Sequence, residues 1–262
     1  MKNVALERLR SGQLSLGVVL RQARSVETAP IFATAGFDWL FIDLEHNAMS
    51  IETACEMSVG AHNTGIAPLV RVPENQYWMA TRALDGGAQG IIMPHVDTPE
   101  QAREVVRQLR YPPVGRRSIS SMQVHVGFQH MAVGELTAKL DQHFLIAVML
   151  ETEQAIENCE AIAAVKGIDV IMIGGNDLCL DLGIPGEVTH PRVQEAFARV
   201  ARACSSCGRH AGLGGVRTSE DLKLYFDMGY RFILAANDVT LLTDAGRRRS
   251  EALRALVAED RP

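Results

Sequence analysis

A single-domain (β/α)₈ barrel is the fold class this sequence predicts, and three observations predict it. The chain has 262 residues, close to the roughly 250 typical of such barrels. Eight short apolar runs alternate with amphipathic stretches, with no linker or low-complexity segment between them. Those runs are mostly continuous, as in parallel strands covered on both faces, and several end abruptly in charged residues. A buried strand gains nothing from a terminal charge, whereas the carboxyl end of a barrel strand is where this architecture places its chemistry.

In chain order the strands are expected at Ser15–Val19, Trp39–Asp43, Ala67–Val72, Gly90–Pro94, Leu145–Leu150, Asp169–Ile173, His210–Gly214 and Phe232–Ala236. Each is followed by a helix-like stretch. Ile51–His62 follows the second strand. Pro99–Leu109 follows the fourth and opens after the N-cap Thr98. Pro191–Ser205 lies between the sixth and seventh, and Ser219–Met228, with Ser219 as its cap, follows the seventh. A doubly wound open sheet is the competing architecture, but its Gly-x-Gly-x-x-Gly fingerprint is absent after the first strand. The stretch from Tyr111 to Gln142 is longer than a barrel connection needs. It holds Tyr111-Pro112-Pro113, Gly115-Arg116-Arg117-Ser118, His125 and His130, with His143 just beyond. Long loops in compact domains serve function or interfaces, so a flap or a subunit contact is expected there.

A composition of 47% hydrophobic and 22% charged residues is that of an ordinary globular protein. The net charge of −5 gives no electrostatic reason to bind nucleic acid. The one basic cluster, Arg247-Arg248-Arg249, reads as a solvated helix face. The first eight residues are charged and lack a signal-peptide core, and Phe144–Leu150 is far short of the ~20 residues of a membrane span. Five cysteines without a secretory signal suggest reduced thiols and a cytoplasmic protein. Cys204-Ser205-Ser206-Cys207 closes a helix and lacks the second pair that a zinc site requires.

The strand ends carry the candidate chemistry. Glu151 ends the fifth strand and Asp177 lies just beyond the sixth; adjacent strands are ~4.8 Å apart. Two carboxylates at matching height suit Mg²⁺ or Mn²⁺ and leave positions for water and substrate. The plainer reading is that both acids stabilise the starts of the following helices. His46 ends the second strand, with Asp43 three residues earlier, where a carboxylate orients and basifies an imidazole. Glu45 points away from His46 and is expected behind the site. Arg71 ends the third strand, where its burial requires an anion or a developing oxyanion. Asp85 precedes the fourth strand and reads equally well as a turn residue. Together these groups suit a divalent cation withdrawing charge from a 2-oxo acid while a histidine moves a proton. No lysine occupies a predicted strand end, which argues against a Schiff base.

Asp43-Leu44-Glu45-His46, Leu69-Val70-Arg71-Val72, Ala83-Leu84-Asp85-Gly86-Gly87-Ala88, Tyr111-Pro112-Pro113-Val114-Gly115-Arg116-Arg117, Leu150-Glu151-Thr152 and Gly174-Gly175-Asn176-Asp177-Leu178 occur in the order found in the HpcH/HpaI aldolase family, which the chain resembles from about Leu16 to Leu242. The resemblance implies a metal-dependent (class II) aldolase on a (β/α)₈ barrel, cleaving a 4-hydroxy-2-oxo acid to pyruvate and an aldehyde. By that resemblance Glu151 and Asp177 are the metal ligands, for Mg²⁺ or Mn²⁺, with Co²⁺ also compatible. His46 is the proton acceptor, Arg71 stabilises the transition state, and Asp43 and Asp85 support the histidine. The backbone at Asn176 and Asp177 receives the substrate carboxylate. The family commonly assembles as hexamers, so a homo-oligomer is implied, with the last helix, about 240–258, exchanged between subunits.

Three departures bear on specificity. Met149 stands where many pyruvate aldolases of the family have Gln against the oxo acid. Gly174-Gly175-Asn176 replaces Gly-Pro-Ala or Gly-Pro-Asn, and Met122–Phe128 replaces a basic, aromatic stretch. Metal and base are retained while the pocket at Met149 and Gly175 differs. This keeps two alternatives open: oxaloacetate-type decarboxylation by the same enolate chemistry, and a non-catalytic barrel used in binding or assembly.

Overall fold

The computed structural model describes residues 2–216 and 218–258; residue 1, residue 217 and residues 259–262 of the expected 1–262 domain lie outside the described residues. Eight strands run β1 (Ser15–Leu20), β2 (Trp39–Asp43), β3 (Ala67–Arg71), β4 (Gly90–Met93), β5 (Leu145–Leu150), β6 (Val170–Gly174), β7 (His210–Gly214) and β8 (Phe232–Asn237). They close in sequence order, and each pairs in parallel with both neighbours. The helices around them are α1 (Val4–Arg10), α2 (Thr28–Thr34), α3 (Ile51–Ala61), α4 (Tyr77–Asp85), α5 (Pro99–Leu109), α6 (Val133–His143), α7 (Glu153–Glu157), α8 (Cys159–Ala163), α9 (Gly175–Asp181), α10 (Pro191–Cys207), α11 (Ser219–Asp227) and α12 (Asp238–Ala258). The expected (β/α)₈ barrel is the observed fold.

Alternation along the strands divides the core in two. Val19, Trp39, Phe41, Leu69, Met149 and Met172 point inward with Phe232. Val18, Leu40, Ile42, Val70, Val148 and Ile173 point outward against the helices. Trp39 and Phe232 stack at 4.0 Å across the lumen. Gly17 makes room for them, because a Cβ there would lie 2.3 Å from the Trp39 ring.

Helix α1, which sequence reasoning did not anticipate, plugs the amino-terminal end of the barrel with Ala5, Leu6 and Leu9. Asn3 caps it through Leu6 N–H at 3.1 Å and donates to the carbonyls of Gln89 and His143 at 2.8 and 2.9 Å. One end of the lumen is thereby closed, and chemistry is confined to the other.

Thr98 forms the expected cap of α5, as half of a capping box with Gln101. The cap of α11 is Thr218, not Ser219, for it is the Thr218 hydroxyl that accepts the Asp221 N–H. The long connection after α5 is not a flap over the strand ends. It folds beneath the barrel: Arg117 and Gln123 reach Asp85 at the end of α4, and His125 Nε2 lies 2.9 Å from the Ala88 carbonyl ahead of β4.

Candidate active site

Three strands end in side chains that follow the inward alternation of their own strands. Phe41 precedes Asp43, Leu69 precedes Arg71, and Met149 precedes Glu151, each by two residues on the inner face. The register pairs Asp43 with Arg71, and the side chains meet accordingly. Arg71 Nε donates to Asp43 Oδ1 at 3.0 Å and Nη2 to Oδ2 at 2.7 Å. Arg71 Nη1 forms an ion pair with Glu45 Oε2 at 3.0 Å, and its guanidinium carbon lies 4.9 Å from the Phe41 ring centroid. Burial works to raise the Asp43 pKa. The Arg71 hydrogen bond and charge, with the N–H groups of Glu45 and His46, overcome that and hold it below the ordinary carboxylate value. Arg71 is the mirror case: burial works to lower its pKa, and the hydrogen bond and charge of Asp43 raise it.

These contacts correct two sequence expectations. Asp43 does not hold the His46 imidazole. Its oxygens serve Arg71 and the backbone N–H groups of Glu45 and His46, at 3.0 and 3.3 Å. The carboxylate near the imidazole is Glu45, 3.8 Å from His46 Nε2, so Glu45 belongs to the site and not behind it. Asp85 is not brought to His46 of the same copy. Within one copy of the chain it ends α4, at the amino-terminal side of the barrel, paired with Arg117 at 2.6 Å. A helix antiparallel to its strands ends at the closed end, away from His46.

Glu151 and Asp177 stand at the ends of the paired strands β5 and β6. Glu151 is buried and Oε2 accepts the His95 N–H at 3.1 Å, with His95 Nδ1 at 3.3 Å. Its Oε1 faces Gly174, where a Cβ would lie 2.5 Å away. Burial pushes the Glu151 pKa up to about 7, against the His95 N–H and charge and with added pressure from Asp177. A buried acid with a second acid beside it is a hard oxygen donor set, a chemistry that fits Mg²⁺ or Mn²⁺. Among the described residues no group of three or more His, Cys, Asp or Glu side chains is arranged to hold a metal.

A cavity of about 250 Å³ opens over these strand ends, lined by His46, Arg71, Met149, Gly175, Asn176 and Asp177 among others. His46 presents 53% of its side-chain surface, and Met149 lies at the cavity floor, 4% exposed. Gly175 backs onto β7, where a Cβ would come within 3.0 Å of the Gly214 carbonyl. Sequence reasoning missed two members of this group. His95 bridges Glu151 and Glu45, its Nε2 lying 3.2 Å from Glu45 Oε1. Arg21 lines the cavity from the position just after β1.

A parallel barrel closed at one end, with acids, an imidazole and guanidinium groups at the other, is the framework of an enzyme. The profile of the HpcH/HpaI aldolase/citrate lyase family matches residues 19–245, and the chain belongs to that family; it is a lyase of the aldolase class. It is 35% identical over 247 residues to a 4-hydroxy-4-methyl-2-oxoglutarate aldolase of Chaetomium globosum, covering 93% of this chain and 92% of that one. It is 34% identical to a hydroxypyruvate/pyruvate aldolase of Roseobacter denitrificans, covering 94% of each. The crystal structure of an HpcH/HpaI aldolase from Desulfitobacterium hafniense superposes with a TM-score of 0.89 at 28% identity, over 98% of this chain and 96% of that one.

Proposed function

We propose that the enzyme cleaves a 4-hydroxy-2-oxo acid to pyruvate, or a related 2-oxo acid, and a carbonyl compound, with Glu151 and Asp177 holding the divalent metal. The observation that carries this reading is the pairing of two adjacent acids, one of them buried, with an exposed imidazole in the same cavity. A divalent cation bound between the acids supplies Lewis-acid withdrawal of charge from the oxo acid. The chain's own groups do the rest. His46, directly or through a water, removes the 4-hydroxyl proton. The C3–C4 bond breaks, its electron pair passes to C3 and into the 2-oxo group as the pyruvate enolate, and C4 departs as a carbonyl. One proton then goes from His46 to C3, so the reaction is balanced and reversible. Arg71, fixed by Asp43 and Glu45, keeps positive charge beside the oxygen that gains it. Asn176, Asp177 and Gly175 offer backbone to the substrate carboxylate, and Met149 packs under the oxo acid. The relatives' names, which include an aldolase for a 2-oxoglutarate derivative and one for pyruvate, support this substrate class.

We also propose Mg²⁺ or Mn²⁺ as the metal, on the hardness of the donors, and a homo-oligomer in which α12 is exchanged between subunits. Leu242 and Leu256 on that helix are 76% and 65% exposed, apolar surface that a partner would cover. Five free cysteines, with no disulfide among the described residues, support a cytoplasmic setting. Among the described residues no helix is long and apolar enough to cross a membrane. The test is pyruvate release from 4-hydroxy-2-oxo acids with Mg²⁺ or Mn²⁺, repeated with a chelator. Turnover is expected to vanish on chelation and return with metal; turnover indifferent to chelation overturns the reading.

A further inference from the structure

We propose that Arg21 selects substrates whose departing carbonyl half carries its own carboxylate, an inference that rests on the aldol reading above and names its substrate class. Arg21 follows Val19 on the inward face of β1, so its side chain rises over the cavity as Asp43, Arg71 and Glu151 do on their strands. It lies where the 250 Å³ cavity meets an annex of about 330 Å³ between β8 and the start of α12, and it lines both. Among the described residues lining the annex Arg21 is the charged one; its neighbours there include Val19, Leu234, Asn237, Thr240 and Leu241. A second substrate half placed in this annex meets apolar and neutral walls and one guanidinium.

The guanidinium is held in place and only partly used. Asp238 accepts the N–H groups of Arg21, Gln22 and Ala23 at 2.9, 2.8 and 2.7 Å. Asn47 Nδ2 donates to the Arg21 carbonyl at 3.0 Å. Its Nη1 donates to the His46 carbonyl at 3.0 Å and stands 3.7 Å from Asp43 Oδ2, beyond hydrogen-bond distance. Its Nε and Nη2 make no hydrogen bond among the described residues, and the side chain is 41% exposed. Arg71 differs on each count. All three of its nitrogens face carboxylates and it is 7% exposed. Asp43 is thus already neutralised by Arg71, and Arg21, which lines the cavity, keeps Nε and Nη2 as donors. Such a pair matches the two oxygens of a carboxylate, and a pinned backbone reduces the ordering cost of using it.

The competing reading is that Arg21 only braces the His46 backbone. Calorimetry with Mg²⁺-loaded wild type, Arg21→Gln and Arg21→Lys separates the two, using 2-oxoglutarate against 2-oxopentanoate. These share the oxo-acid head and chain length and differ in the distal carboxylate. Wild type is expected to favour 2-oxoglutarate by about 10–100-fold, the range for hydrogen bonds to a charged group. Arg21→Gln should bring the ratio near one, and Arg21→Lys should leave an intermediate ratio. A bracing role weakens both ligands equally and leaves the ratio unchanged, which overturns the proposal. Deuterium exchange into the pyruvate methyl group, followed by NMR with wild type, reports enolate formation separately. Absent exchange with the ligand ratio intact removes the aldol reading and leaves the Arg21 assignment standing.

Discussion

In the proposed mechanism His46 and Arg71 divide the work of the site between an exposed base and a buried cation. The imidazole is half open to the cavity, whereas the guanidinium is locked by Asp43 and Glu45. His46→Ala should therefore lower kcat by about 10²–10⁴-fold while Mn²⁺ affinity, read by calorimetry, stays within about twofold. Equal loss of metal would mean that His46 shapes the acid pair instead of moving protons. Glu151 depends on its neighbour at Gly174, whose missing Cβ leaves room for Oε1. Gly174→Ala should displace that carboxylate and weaken Mn²⁺ binding by about 10–100-fold, as outer contacts of metal ligands do, with the circular dichroism of a folded barrel retained. Unchanged affinity would remove Glu151 from the metal pair.

At the scale of elements, strand parity explains what the sequence made readable. Asp43, Arg71 and Glu151 each lie two residues past an inward side chain, so the apolar run announces both the strand and the direction of its last residue. Arg21 obeys the same parity after Gly17 and Val19. It escaped notice because β1 was expected to end at Val19 and continues to Leu20. His95 breaks parity. Its φ of +53° turns the chain after Pro94 and brings its N–H and ring to Glu151, and no residue type announces a left-handed histidine. Asp85 closes α4 ahead of β4 and so sits at the amino-terminal end of its own barrel, away from that copy's His46. The connection after α5 carries a further expectation. His125 is buried against Ala88; burial lowers its pKa to about 4, its Ala88 bond opposing and the charges of His62 and Arg117 assisting. Burial, then the charge of His125, lowers His143 to about 3. Both pKa values lie below the unfolded value near 6.5, so this stability is fully present above pH 6.5 and is lost as pH falls through about 4 and 3. Tm should fall over that window, less steeply in His125→Phe; parallel curves for the two proteins would rule the histidine out.

The whole molecule joins a closed barrel, sealed at its base by α1, to a long helix that leaves apolar side chains uncovered. Removing residues 239–258, or replacing Leu242 and Leu256 with Asp, should shift the protein to a smaller species in light scattering. An unchanged mass would argue that α12 takes no part in assembly. Asp238 gives that helix a second consequence. Its carboxylate belongs to the first turn of α12 and also ties down three backbone amides of the Arg21 loop. A neighbour that reorients the helix therefore tugs on the mouth of the barrel through a single side chain. With α12 exchanged between subunits as proposed, self-association and the choice of electrophile would form one linked equilibrium, and dilution should then lower the 2-oxoglutarate to 2-oxopentanoate affinity ratio read by calorimetry.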